Sequence, residues 1–145
     1  MALPSQSMST PIDVVTGYLR AFSGSDPDDI ASFVSESFRN EHLSELGSGC
    51  TGRAEYRRRL PGFLASFKDR TYTVEDIVEQ VRESSTDVVV RYRLNATYAD
   101  GPVADAGIDI PGVMWFSVHD DRISKRVDVW DSLTFLQQTG QAPRS

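Results

Sequence analysis

An aspartate in the middle of an apolar strand is the residue of this chain most in need of a chemical reason. Asp128 lies between Val127 and Val129 in the run RVDVWDSLTFLQQTG, Arg126 to Gly140. Side chains alternate along a strand, so Arg126, Asp128 and Trp130 share one face, and Val127 and Val129 share the other. Apolar surroundings disfavour the charged form of a carboxyl group. A carboxyl so placed suits taking and returning a proton near neutral pH. Proton transfer beside a carbonyl also needs a donor for the oxygen on which charge develops. Tyr98, His42, Tyr18 and Asn40 are the candidate donors. A structural alternative stands beside this reading, in which Asp128 pairs with Arg126 or Arg91.

Other chemistries lack their residues. The only histidines are His42 and His119, and Cys50 is the only cysteine. None stands at metal-ligand spacing, so no metal site is expected. A single cysteine closes no intrachain disulfide, and Cys50 has no activating neighbours in its Gly/Ser/Thr loop. No Gly-rich phosphate loop and no GxSxG turn is present, so no cofactor is expected. The net charge of -6 argues against a nucleic-acid partner. The basic cluster Arg57, Arg58 and Arg59 reads as the solvated face of a helix. No stretch is long and apolar enough to span a bilayer, and the opening residues do not resemble a secretory signal. The expectation is a soluble, cytoplasmic protein that handles a small apolar molecule.

The elements that must position these residues can be read in order. The 145 residues suit one domain, expected over 10–140, with a flexible segment at 1–9 and a tail at 141–145. Thr10, Pro11 and Asp13 form a helix start of capping-box type. Ile12, Val15, Tyr18, Leu19 and Phe22 follow at helical spacing, and Gly24 ends the run. A second, short helix starts at Asp26 and Pro27, with Ile30, Phe33 and Val34 as its apolar face. SFRNEHL reads as a short strand with Phe38, Asn40 and His42 on one side. A third helix begins near Gly52 or Arg53 and carries Tyr56, Leu60, Phe63, Leu64 and Phe67. Pro61 should kink or restart it.

Strands follow from Arg70 onward. Val88, Val90, Tyr92, Leu94, Ala96 and Tyr98 face one side, and Arg91, Arg93, Asn95 and Thr97 the other. Strands around Val113 to Val118 and Ile123 to Trp130 form a hairpin through HDDR. A short helix capped by Asp131 or Ser132 closes the chain. Helices first and antiparallel strands afterwards predict an α+β fold, a cone made of a curved antiparallel sheet with about three N-terminal helices across it. Such a cone has room for a small ligand. The ligand-facing candidates are Tyr18, Asn40, Tyr92, Trp130 and Phe63, with core packing as the alternative role for Tyr18 and Phe63.

Three stretches carry a family resemblance. VVTGYLRAF with DDIASFVSESFRNEH, GRAEYRRRLPGFLASFKD, and HDDRISKRVDVWDSLTFLQQTG together resemble the SnoaL-like branch of the nuclear transport factor 2-like superfamily. That branch includes polyketide cyclases and ketosteroid isomerase-like proteins. The resemblance runs from about Ile12 to Gly140 and implies the cone-shaped, cystatin-like fold. It implies an aspartate on the last strand that exchanges protons with substrate, here Asp128, helped by Tyr98 and His42. It also implies a homodimer formed through the outer sheet face, where Val127 and Val129 point. The implied reaction is a cofactor-free isomerisation, cyclisation or dehydration of an apolar carbonyl compound. Many SnoaL-like cyclases have Gly-Thr-His where this chain has Ala96-Thr97-Tyr98. Limonene epoxide hydrolases, which share the fold, are a second resemblance. Asn40 and Asp128 match their pattern, but Arg91-Tyr92-Arg93 lacks the second acid of their Asp-Arg-Asp triad. A non-catalytic binding or dimerisation domain is the remaining alternative.

Overall fold

The computed structural model describes residues 9–142. Most of the expected terminal segments, 1–9 and 141–145, lies outside that range. The chain runs α1 (Pro11–Ala21), α2 (Pro27–Ala31), β1 (Val34–His42), β2 (Cys50–Thr51), α3 (Arg53–Ser66), β3 (Phe67–Val81), β4 (Thr86–Tyr98), β5 (Ala106–His119), β6 (Arg122–Trp130) and α4 (Ser132–Gln138). All strands join one sheet in the order β2-β1-β6-β5-β4-β3.

The start of α1 follows its sequence. The Thr10 side chain accepts from the Asp13 amide, and the Asp13 carboxylate accepts from the Thr10 amide, which satisfies two amides that the helix leaves open. Val14, Val15, Tyr18 and Leu19 are buried on one side. They face the inner sheet residues Val88, Val90, Met114, Phe116 and Ile123 within the same core. Along β4 the alternation is as expected: Val88, Val90, Tyr92, Leu94 and Ala96 are buried, while Arg91 and Asn95 are exposed.

Three local outcomes differ from the sequence expectation. α2 ends at Ala31, so Phe33 and Val34 leave the helix. The Phe33 carbonyl instead accepts from the Ile123 amide at 2.8 Å, and Val34 pairs with Ile123. Sheet pairing thus takes these residues before a second helical turn can form. α3 runs unbroken through Pro61, because Pro61 is exposed and the carbonyl it leaves unpaired can turn to water. β1 and β6 pair in parallel, whereas every other strand pair is antiparallel. The elements between β1 and β6 supply the long crossover that a parallel pair needs.

Register shifts lie between Lys68 and Thr71 and between Val74 and Asp76 on β3, between Val34 and Arg39 on β1, and at Ser117–Val118 on β5. Such bulges bend strands and increase twist. Asp69, at the first of them, has φ +54°. In the β5–β6 turn, Asp120 and Asp121 have φ +49° and +61°, the signs that a two-residue hairpin with right-handed twist requires.

Arg70 fastens the helices to the sheet. Its side chain is buried. Its Nε donates to the Phe22 carbonyl at 2.8 Å, Nη2 to that of Gly24 at 2.8 Å, and Nη1 to those of Leu64, at 2.8 Å, and Phe67. These carbonyls lie just past α1 and at the end of α3. One guanidinium therefore neutralises the negative ends of two helix dipoles and satisfies the carbonyls of Phe22 and Leu64 in buried hydrogen bonds. On the outer sheet face Val113, Trp115 and Val129 are exposed, with Val113 opposite Val129 and Trp115 opposite Val127. No helix among the described residues is long and apolar enough to cross a membrane.

Candidate functional site

The strand parity of β6 turns Arg126 and Asp128 inward, where they are 5% and 4% exposed. A buried ion is costly unless its partners replace water. Here they do. Arg126 Nη2 donates to Asp128 Oδ2 at 3.0 Å, and Nη1 donates to Asn40 Oδ1 at 2.8 Å. Arg126 Nε faces Met114 Sδ at 3.5 Å, and its guanidinium lies 6.0 Å from the Tyr18 ring centre. Asp128 Oδ1 accepts from the Tyr92 hydroxyl at 2.7 Å. Burial first, and then the charge of Asp128, push the Tyr92 phenol far above its ordinary value, so Tyr92 keeps its proton and serves as a donor. Of the two expected arginine partners, the structure selects Arg126. Arg91 points to the outer face and meets Glu75 at 3.6 Å.

His42 stands opposite Asp128 in the β1–β6 register, its Nδ1 3.9 Å from Asp128 Oδ2. That distance would suit an ion pair, but the ring is neutral. Burial and the nearby Arg126 charge outweigh Asp128 and lower the pKa of His42 to about 4. The Trp130 indole, which can only donate, gives a hydrogen bond to Nδ1 at 3.3 Å. The ring proton therefore sits on Nε2.

These groups line a cavity of about 510 Å³. Its walls are largely aromatic and include Phe63, Phe67, Tyr72, Tyr98, Trp130 and Phe135. Phe63 stacks on Phe67 with centroids 4.8 Å apart. Tyr98 packs on Phe135 at 4.9 Å, and its hydroxyl makes no hydrogen bond among the described residues. The structure thus brings Asp128, Tyr92, Asn40, His42 and Trp130 together. It sets Tyr98 and Phe63 on the wall, and it puts Tyr92 on the carboxylate. Tyr18 is fully buried and does not line the cavity; its hydroxyl is hydrogen-bonded to that of Tyr56. Asp128 is the only carboxylate among the described lining residues.

Two contributors escaped the sequence reading. Tyr56 looked like one more apolar helix position, yet it lines the cavity. Gly112 lies opposite Tyr92 on β4 and Trp130 on β6. A Cβ on Gly112 would stand 2.4 Å from the Tyr92 hydroxyl oxygen and 2.5 Å from Cζ. The bare backbone there is what lets the Tyr92 ring lie flat and reach Asp128. A glycine within a β pattern is the available signal for such a close approach.

A curved six-stranded sheet folded around a cavity, with helices across it, is the nuclear transport factor 2-like cone. Within that class the chain belongs to the SnoaL-like domain family, whose model matches residues 15–126. No curated protein matches the sequence. Among solved structures, a candidate SnoaL-like polyketide cyclase from Shewanella putrefaciens is similar with a TM-score of 0.78 at 15% identity, over 94% of this chain and 100% of the other. A hypothetical protein with a ketosteroid isomerase-like fold from Catenulispora acidiphila, solved with trimethylamine, gives 0.76 at 16% identity over 92% and 96%. An LEH-like epoxide hydrolase from M. tuberculosis gives 0.69 at 14% identity over 88% and 87%. At these identities the structural likeness concerns the fold.

Gly112→Ala should lose roughly 1–3 kcal/mol through the forced displacement of the Tyr92 ring, read from urea unfolding; an unchanged midpoint would mean that the ring moves freely. The lowered pKa of His42 gives a second expectation. Between its ordinary value of 6.5 and about 4, the unfolded chain binds the proton and the folded chain does not, so acid favours unfolding. Over that window His42→Asn should lose less stability than the native protein, by up to roughly 3 kcal/mol. Equal losses would show that His42 protonates in place.

Proposed function

We propose that this protein performs cofactor-free acid/base chemistry on a small, neutral, largely apolar compound bearing a carbonyl. Isomerisation, cyclisation and dehydration are the reactions of that type that the cavity suits. The observation that carries the reading is that Asp128 is the lone carboxylate among the described residues lining a largely aromatic cavity. Asp128 takes a proton from the carbon beside the carbonyl and returns it to another atom of the same molecule. Arg126 and Tyr92 hold the carboxylate in one orientation, so little reorganisation is needed as the proton moves. Neutral His42, with its proton on Nε2, and the Asn40 amide lie on the same side as donors for the oxygen that gains charge.

Epoxide hydrolysis of the limonene epoxide hydrolase type is less well supported. That chemistry draws on two acids, and the described lining residues include one. Arg91 and Arg93 pair with Glu75 and Asp109, so neither completes a triad with Asp128.

β-Tetralone is a suitable probe, because its benzylic α-protons are acidic and its two rings are of a size for the cavity. In deuterated buffer the native protein should speed exchange of those protons, followed by proton NMR. Asp128→Asn should lower the enhancement by about a hundredfold or more while keeping the fold by circular dichroism. Native exchange at the buffer rate would leave the cavity as a binding site only, and undiminished exchange in Asp128→Asn would end the role given to this residue.

A further inference from the structure

Two of the five tyrosines, Tyr72 and Tyr98, have a hydroxyl without a hydrogen-bond partner among the described residues. Tyr18 and Tyr56 bond each other, and Tyr92 donates to Asp128. Tyr72 is the more firmly placed of the two. Two residues before it, Arg70 ties β3 to the ends of α1 and α3, and the alternation of the strand turns Tyr72 to the same inner face. Its ring makes edge contacts with those of Phe22 and Tyr92, at centroid distances of 5.2 and 5.3 Å. The hydroxyl is not sealed in the core: Ser35 Oγ and Ser132 Oγ are the only described side-chain polar atoms that are both buried and unpartnered. Tyr72 lines the cavity, so the open space that its hydroxyl meets is the cavity. Burial pushes the phenol far above its ordinary value. It therefore keeps its proton and is a donor at neutral pH.

We infer that Tyr72 is a specificity residue, a fixed donor for a second oxygen of the ligand, across the ring system from the carbonyl. β3 is one edge of the sheet, whereas His42 and Asn40 lie on β1, with β6, β5 and β4 in between. All three side chains nevertheless line one cavity, because the sheet curves. A molecule whose carbonyl is held by His42 and Asn40 presents its other side to Tyr72. The ligand class follows: a ring ketone with a hydroxyl, alkoxy or second carbonyl oxygen remote from the reacting carbonyl. A hydrocarbon edge in that place would leave the Tyr72 O–H facing apolar surface, which costs affinity. The inference rests on the proposed reading only for where the carbonyl lies.

The test compares β-tetralone with its 6-hydroxy and 7-hydroxy derivatives, whose added oxygen lies on the ring away from the ketone. Affinities are read from NMR titration of the native protein and its variants. The native protein should bind the better of the two derivatives at least about threefold more tightly than β-tetralone, the gain of one net hydrogen bond. Tyr72→Phe should bind the two about equally, with its affinity for β-tetralone itself unchanged to within about twofold. That variant strands no partner, so it should unfold in urea no earlier than the native protein. Tyr98→Phe, which removes the other unpartnered hydroxyl, should keep the advantage. The inference is overturned if the native protein shows no advantage, if the advantage survives Tyr72→Phe, or if Tyr98→Phe removes it instead. A native protein that prefers the hydroxylated ketone without accelerating deuterium exchange would retain this donor and lose the acid/base reading, so the two failures are distinct.

Discussion

The ion pair between Arg126 and Asp128 is the constraint around which this molecule is arranged. Two opposite charges two residues apart on one strand turn inward together, and both are almost fully buried. Such a pair is tolerable only when nearly every polar atom has a partner. Asn40 comes from β1 and Tyr92 from β4, each supplying one bond. The order β1-β6-β5-β4 is what lets both reach the pair. The parallel β1–β6 pairing places Asn40 beside Arg126 and His42 beside Asp128. The same burial and the same guanidinium that serve the pair keep His42 neutral.

The architecture around the pair supplies space as well as partners. Bulges curve the strands, α1 and α3 lie across the hollow, and Arg70 ties their C-terminal ends to β3. Gly112 provides the thin place in β5 that Tyr92 needs. The result is a cavity with the Arg126–Asp128 cluster in its lining and walls that are mostly aromatic and aliphatic. Such a cavity favours neutral ring compounds with a few oriented polar atoms, because a net charge would disturb a balance already closed within the floor.

Much of this was legible in the residues. The alternation along β4 assigned inner and outer faces correctly, since one face is apolar; on β6 the inward turn of Asp128 came from the family resemblance, because there the apolar face, Val127 and Val129, is the outer one. The α1 cap was readable because a capping box is local. α2 was overestimated because Phe33 and Val34 fit a helical face and a strand start equally well, and only pairing with β6 decides between them. The restart offered as one outcome of Pro61 does not occur, because the consequence of a proline depends on which side of the helix meets water. The choice of Tyr92, two strands away, as the partner of Asp128 was invisible, because it depends on cross-strand register and on a glycine of the strand between them. Arg70 lacked any signal, since an arginine at a strand start looks like surface until four carbonyls converge on it.

The most direct test of a buried, mutually dependent pair is a thermodynamic cycle of Arg126→Met, Asp128→Leu and the double variant, measured by urea unfolding. Each single change should cost about 3–5 kcal/mol, because it strands the other charge, and the double variant should cost far less than the sum. Single losses that simply add to within about 0.5 kcal/mol, or that stay below about 1 kcal/mol as for surface pairs, would contradict the account.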